Sequence, residues 1–74
     1  MDNKQFRHLF KQIITNAIEV SNGMFSSWYK DANGNRAYYE DDGYTLRIVT
    51  NDKEYICNYN NEITEKKLTK TLDI

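Results

Sequence analysis

The chain has few of the residues that cross-link a small protein or bend its backbone. Its 74 residues include one cysteine, three glycines and no proline. Cys57 cannot form an internal disulfide, and it has no partner at the spacing of a zinc site. No apolar run approaches the roughly 20 residues of a membrane-spanning helix, and Met1 to Gln5 lead into no apolar core of a signal peptide. We therefore expect a cytoplasmic protein without a membrane segment.

The chain also has no large excess of positive or of negative residues. The formal net charge is −1, and Lys66-Lys67 is the one pair of adjacent basic residues. Bulk electrostatics therefore disfavour a nucleic-acid partner. The chain is 39% hydrophobic and 14% aromatic, which suits one compact domain over residues 1–74 with a small core. The lack of proline, with many Asn, Lys, Ile and Tyr residues, is typical of an AT-rich coding source such as a low-GC bacterium or its phages.

The N-terminal quarter has the pattern of an amphipathic helix. Apolar residues recur at three- and four-residue steps from Phe6 to Val20, which predicts a helix over about 3–21 with one broad buried side. Asp2 or Asn3 is the predicted N-cap. Gly23 stands where a left-handed residue would end the helix.

Turn signals then divide the chain into short strands. They are Asn33-Gly34, Asp42-Gly43 and Asn51-Asp52, and the first two favour two-residue hairpin loops because both loop positions need positive φ. The predicted strands of this four-stranded antiparallel meander are at about 25–31, 36–41, 44–50 and 53–59. The predicted cross-strand pairs are Trp28–Tyr39, Tyr29–Tyr38, Lys30–Ala37 and Asp31–Arg36, then Ala37–Ile48, Tyr38–Arg47 and Tyr39–Leu46, then Tyr44–Tyr59, Leu46–Cys57 and Ile48–Tyr55.

This register sorts the side chains onto two faces. The face predicted to pack against the helix carries Trp28, Ala37, Tyr39, Tyr44, Leu46, Ile48, Tyr55, Cys57 and Tyr59. Lys30 is the residue that does not fit there. The second face carries Tyr29, Asp31, Arg36, Tyr38, Glu40, Thr45, Arg47, Val49, Glu54, Ile56 and Asn58. A slip of one residue at any turn would mix the two sets.

The C-terminal segment has two interpretations. Thr64 is placed to cap a short helix at about 65–72. Leu68, Leu72 and Ile74 also share strand parity, so a fifth strand is the alternative. We favour the helix. The predicted fold is α+β, with the N-terminal helix packed on one face of the meander.

No catalytic, cofactor or metal site is expected. Cys57 is predicted to be a small buried hydrophobe, and His8 lies on the polar side of the helix without a catalytic partner. Residues 31–35 followed by Asp42 are similar to an EF-hand calcium loop, but Arg36 stands where that loop requires glycine. We interpret this stretch as a hairpin turn, and we expect a protein that is not an enzyme.

The candidate binding surface is the second face together with its acidic turn. Arginines and tyrosines are enriched at protein–protein hot spots, and similar residues stack on the bases of single-stranded nucleic acid. Carboxylates on the same face would repel phosphates. The candidate protein-binding residues are Tyr29, Arg36, Tyr38, Glu40, Asp41, Asp42 and Arg47, with Arg47 near the centre.

The leading hypothesis is a small protein-binding module. It would be encoded by a phage or mobile element and would inhibit a host enzyme or defence complex by occlusion. Glu40, Asp41 and Asp42 would mimic nucleic-acid phosphates. One alternative is a nucleic-acid-binding regulator that uses the same face. The other is a homodimer sealed through that face, which the C-terminal segment could also cover.

Overall fold

The computed structural model of the protein describes residues 1–40 and 43–68. It is an α+β structure with one helix, α1 (Asn3–Thr15), in the described part of the chain, followed there by one antiparallel sheet. The six strands are β1 (Ala17–Asn22), β2 (Ser27–Asp31), β3 (Arg36–Glu40), β4 (Thr45–Val49), β5 (Lys53–Cys57) and β6 (Ile63–Lys67). Each strand pairs with the next in chain order. The predicted fold class and meander are present, but the predicted number of four strands is wrong.

Helix α1 begins where expected and ends early. The Asp2 carboxylate accepts the Gln5 N–H at 2.8 Å, and the Gln5 side chain accepts the Asp2 N–H at 2.9 Å, which completes a capping box. The helix ends at Thr15, not near residue 21, and Gly23 does not cap it.

The remainder of the predicted helix is strand β1. Ile18 and Val20 continue the apolar spacing of the helix, yet they are 66% and 52% exposed. Their β-branched side chains favour extended backbone. Pairing with β2 gives this segment the hydrogen bonds that a longer helix would have supplied. Spacing alone could not separate these two outcomes.

The core lies between α1 and one face of the sheet, here called the core face. Its buried residues are Phe6, Phe10 and Ile13 from the helix and Ala37, Ile48 and Cys57 from the sheet. The ring of Phe10 meets that of Tyr39 edge to face, with centroids 5.0 Å apart. Cys57 is 2% exposed, so the prediction of a buried small hydrophobe is confirmed.

The registers of the second and third predicted hairpins are confirmed. The observed pairs include Ala37–Ile48, Tyr38–Arg47, Tyr39–Leu46, Leu46–Cys57 and Ile48–Tyr55. The Thr50 N–H donates to the Lys53 carbonyl at 2.9 Å and closes the two-residue loop at Asn51-Asp52. The strands are shorter than predicted. As a result, Tyr44 and Tyr59 lie outside β4 and β5 and do not form a ladder pair.

The register of the first predicted hairpin is wrong by one residue. The observed pairs are Ser27–Tyr39, Trp28–Tyr38, Tyr29–Ala37 and Lys30–Arg36. Its loop has three residues, 32–34, because the Asp31 N–H donates to the Asn35 carbonyl at 3.0 Å. Gly34 takes the left-handed conformation, with φ of 85°, that this loop type requires. The one-residue shift turns every side chain of β2 to the opposite face.

Asp31 accounts for the longer loop. Its carboxylate is buried and accepts the backbone N–H groups of Asn33 and Asn35, each at 2.9 Å, and the Asn35 side-chain amide at 3.1 Å. Such local bonds favour one turn over another. Asp31 therefore does not oppose Arg36. Lys30 does, and Lys30 leaves the core face, where it did not fit.

The C-terminal segment is a strand where it is described. β6 pairs with β5 through Ile63 and Thr64, opposite Cys57 and Ile56. The predicted Thr64-capped helix is wrong, and the alternative of a further strand holds over Ile63–Lys67. Ile63 packs beside the core, which favours the strand because a helix would leave the edge of β5 unpaired. Leu72 and Ile74 lie outside the described residues.

Candidate functional site

The candidate site is the sheet face that points away from α1, here called the outer face. The helix packs on the other side, mainly over β2 and β3, and residues 1–40 and 43–68 form no other α-helix. Strand alternation and the observed registers define the members of this face. They are Glu19, Ser21, Trp28, Lys30, Arg36, Tyr38, Glu40, Thr45, Arg47, Val49, Glu54, Ile56, Thr64 and Lys66.

One row of large side chains crosses the middle of the outer face. Trp28, Tyr38, Arg47 and Ile56 come from four successive strands, and each lies directly opposite the next. Side chains opposite one another in a ladder are close enough to pack together. All four are half-buried. They place aromatic, guanidinium and aliphatic groups side by side across the sheet.

Arg47 is held at the centre of this row. Its guanidinium donates to the Glu40 and Glu54 carboxylates at 2.8 Å each, and its Cζ atom lies 4.3 Å from the centroid of the Tyr38 ring. Burial by itself would lower the pKa of Arg47, but the hydrogen bonds and charges of Glu54 and Glu40 outweigh it, so the pKa is raised. The guanidinium is thus fixed in position and its charge is balanced within the face.

Two other cations of the outer face have no such partners. Lys30 and Arg36 oppose each other across β2 and β3. Neither makes an ion pair with any described residue, and Arg36 donates to the Tyr38 hydroxyl at 3.3 Å. Two positive charges without an ion pair to a described residue therefore flank the aromatic end of the row, and Glu19 lies opposite one of them, Lys30.

The structure brings together four of the seven predicted binding residues. Arg36, Tyr38, Glu40 and Arg47 share the outer face. Tyr29 lies on the core face instead, with its ring centroid 6.1 Å from that of Tyr39. Asp41 and Asp42 lie outside the described residues.

Trp28 lies on the outer face, whereas the sequence prediction placed it on the core face. The signal that could have located it was Lys30, the one charged residue assigned to the core face. Shifting the first hairpin by one residue moves Lys30 to solvent and carries Trp28 with it. A buried lysine without a partner is more costly than an additional loop residue.

The outer face carries ion pairs and a cation–ring contact. In the part of the chain that the structure describes, no three His, Cys, Asp or Glu side chains converge as metal ligands. The same residues form no helix long and apolar enough to cross a bilayer. The ion pairs of Arg47 join β3, β4 and β5.

We compared the chain with protein-family models, with curated proteins and with solved structures, and none of the three comparisons returned a match.

Proposed function

We propose that this chain is a small, non-enzymatic protein-binding module and that its contact surface is the outer face. The observation that supports the proposal is the ordered row of Trp28, Tyr38 and Arg47 on a face that α1 leaves open. Trp, Tyr and Arg are the residues most often found at the energetic centre of protein interfaces. Side chains that are already ordered lose less conformational entropy on binding.

A protein partner fits this surface better than single-stranded nucleic acid. One side of the Tyr38 ring is covered by the Arg47 guanidinium, so a base could stack there only by displacing it. The charge of Arg47 is balanced by two carboxylates and is not available to a phosphate. Lys30 and Arg36, which form no ion pair with the described residues, favour a partner surface with acidic groups opposite them.

The mechanism we propose is occlusion. An open sheet face has no cleft in which to transform a substrate, but it can cover a site on another protein. That the partner is a host enzyme or defence complex remains a hypothesis based on composition. Glu40 is engaged by Arg47, so mimicry of phosphates would depend on Asp41 and Asp42.

The test compares the same substitution at two tyrosines, one on the outer face and one outside it. Tyr38→Ala removes a ring from the outer face. Tyr59→Ala removes a ring that is 74% exposed in the β5–β6 connection. Tagged wild type and both variants would be incubated with lysate of a low-GC bacterium, and the bound proteins would be quantified by mass spectrometry. A true partner should be retained by Tyr59→Ala and weakened roughly thirtyfold by Tyr38→Ala, as expected of a hot-spot residue of about 2 kcal/mol.

Two outcomes would contradict this proposal. Equal recovery of every bound protein by Tyr38→Ala and wild type, with native circular dichroism for both, would remove the outer face from the proposal. Binding of a labelled single-stranded oligonucleotide at low salt that is lost in Tyr38→Ala would replace the protein partner with nucleic acid.

A further inference from the structure

The two edges of the sheet differ in their protection against pairing with another strand. β6 carries three charged side chains, Glu65, Lys66 and Lys67, and charges of this kind keep foreign strands away. β1 carries one charge, at Glu19, and no lysine or proline. Its Ile18 and Val20 side chains are 66% and 52% exposed. Within the described residues, β1 is therefore the open edge of the sheet.

The backbone of β1 has hydrogen-bonding groups directed to that open side. The Gly23 N–H donates to the Ser26 carbonyl at 2.7 Å. In an antiparallel ladder, hydrogen-bonded and non-hydrogen-bonded pairs alternate. The pair of Val20 with Tyr29 is therefore a non-hydrogen-bonded pair, and so is the pair of Asn22 with Ser27. The N–H and C=O groups of Val20 and Asn22 point away from β2, toward solvent.

We propose that β1 pairs with β1 of a second copy of this chain. The two strands run antiparallel around a twofold axis at Val20 and join two six-stranded sheets. This register matches the outward groups of Val20 with those of Val20 in the second copy. It also places Glu19 opposite Ser21 and brings Asn22 next to the β-bulge between Ala17 and Glu19 of the second copy. An axis at Glu19 would set two carboxylates directly against each other, which is unfavourable.

A second copy suits this edge better than other strands do. Pairing of β1 with β6 of another copy would be a head-to-tail contact that leaves further edges open, whereas β1 with β1 closes at two copies. Met24, in the turn between β1 and β2, is 86% exposed and lies at one end of this edge. Phe25 follows, at 64% exposure. Burial of these side chains adds an apolar contribution to the backbone pairing.

The experiment uses matched proline substitutions at the two edges. Val20→Pro removes an outward N–H and no ladder bond to β2. Lys67→Pro makes the same change on β6. The Leu68 N–H donates to the Asp52 carbonyl at 2.8 Å. Because successive N–H groups of a strand alternate in direction, the Lys67 N–H points away from β5. Sedimentation equilibrium over a wide concentration range should show a dimer for wild type and for Lys67→Pro, and a monomer for Val20→Pro.

A second variant keeps the test independent of proline strain. Val20→Lys retains the backbone and places two ammonium groups on the twofold axis, so the dimer dissociation constant should rise at least about tenfold. In wild type, amide hydrogen exchange at Val20 and Asn22 should slow as protein concentration rises.

Three results would overturn the proposal. The first is a wild type that is monomeric at every concentration. The second is a dimer unaffected by both Val20→Pro and Val20→Lys. The third is a dimer that Trp28→Ala abolishes and the Val20 variants leave intact, because it would place the interface on the outer face.

Discussion

Replacing Asp31 with alanine should destabilise the protein more than any other single polar substitution in the turns that the structure describes. Asp31 is 8% exposed, and its carboxylate accepts three hydrogen bonds, from the Asn33 N–H, the Asn35 N–H and the Asn35 side chain. A hydrogen bond to a charged group contributes roughly 1.5–3 kcal/mol. Water can take the place of the carboxylate for the exposed Asn33 N–H, so the two bonds from Asn35 account for most of the cost. We therefore expect Asp31→Ala to lower the free energy of unfolding by about 3 kcal/mol.

That loss is large for a chain of this size. At roughly 0.05–0.15 kcal/mol per residue, the free energy of unfolding is on the order of 4–11 kcal/mol. A loss of about 3 kcal/mol should lower Tm by roughly 12–24 °C for a small domain. Urea and thermal unfolding followed by circular dichroism would measure both quantities.

The control is the aspartate of another turn. Asp52 is exposed, and among the described residues its carboxylate accepts one long bond, 3.4 Å, from the Thr50 hydroxyl. Asp52→Ala should change the free energy of unfolding by less than about 0.5 kcal/mol. If Asp31→Ala costs no more than Asp52→Ala, the carboxylate does not hold the three-residue loop and our explanation of the first hairpin register is wrong.

Three further predictions concern the core, a turn and the helix cap. Ile48 is fully buried, so Ile48→Ala should cost about 2–5 kcal/mol and Ile48→Val about 1 kcal/mol in urea unfolding; equal costs would contradict a tightly packed site. Gly34 has φ of 85° and open space around it; Gly34→Ala should therefore cost roughly 1–2 kcal/mol from backbone conformation alone, and Gly34→Asn should cost less, as measured by Tm. Asp2→Ala should cost about 1 kcal/mol in the same assay, because it removes the capping box, and Asp2→Ser should restore most of it.

The candidate site was only partly accessible to sequence reasoning. Arg36, Tyr38, Glu40 and Arg47 were placed on one face because the turn between β3 and β4 has the predicted register. Tyr29 was misplaced and Trp28 overlooked because both depend on the first hairpin. The ion pairs that fix Arg47 join three strands, and contacts of that kind have no local signature in the sequence.

Interactions between residues close in sequence determine much of this fold. The sequence by itself was sufficient for the start of α1, with Asp2 as one of two predicted N-caps, for two hairpin registers and for the burial of Cys57, because each depends on neighbouring residues or on simple alternation. Tertiary structure decided where α1 ends, because the apolar spacing of Ile18 and Val20 fits a helix as well as a strand until β2 is there to pair with. It also decided β6, since the open edge of β5 needs a partner. The faces of β2 depended on Asp31, whose buried carboxylate added one residue to a turn and thereby placed Trp28, not Tyr29, on the outer face.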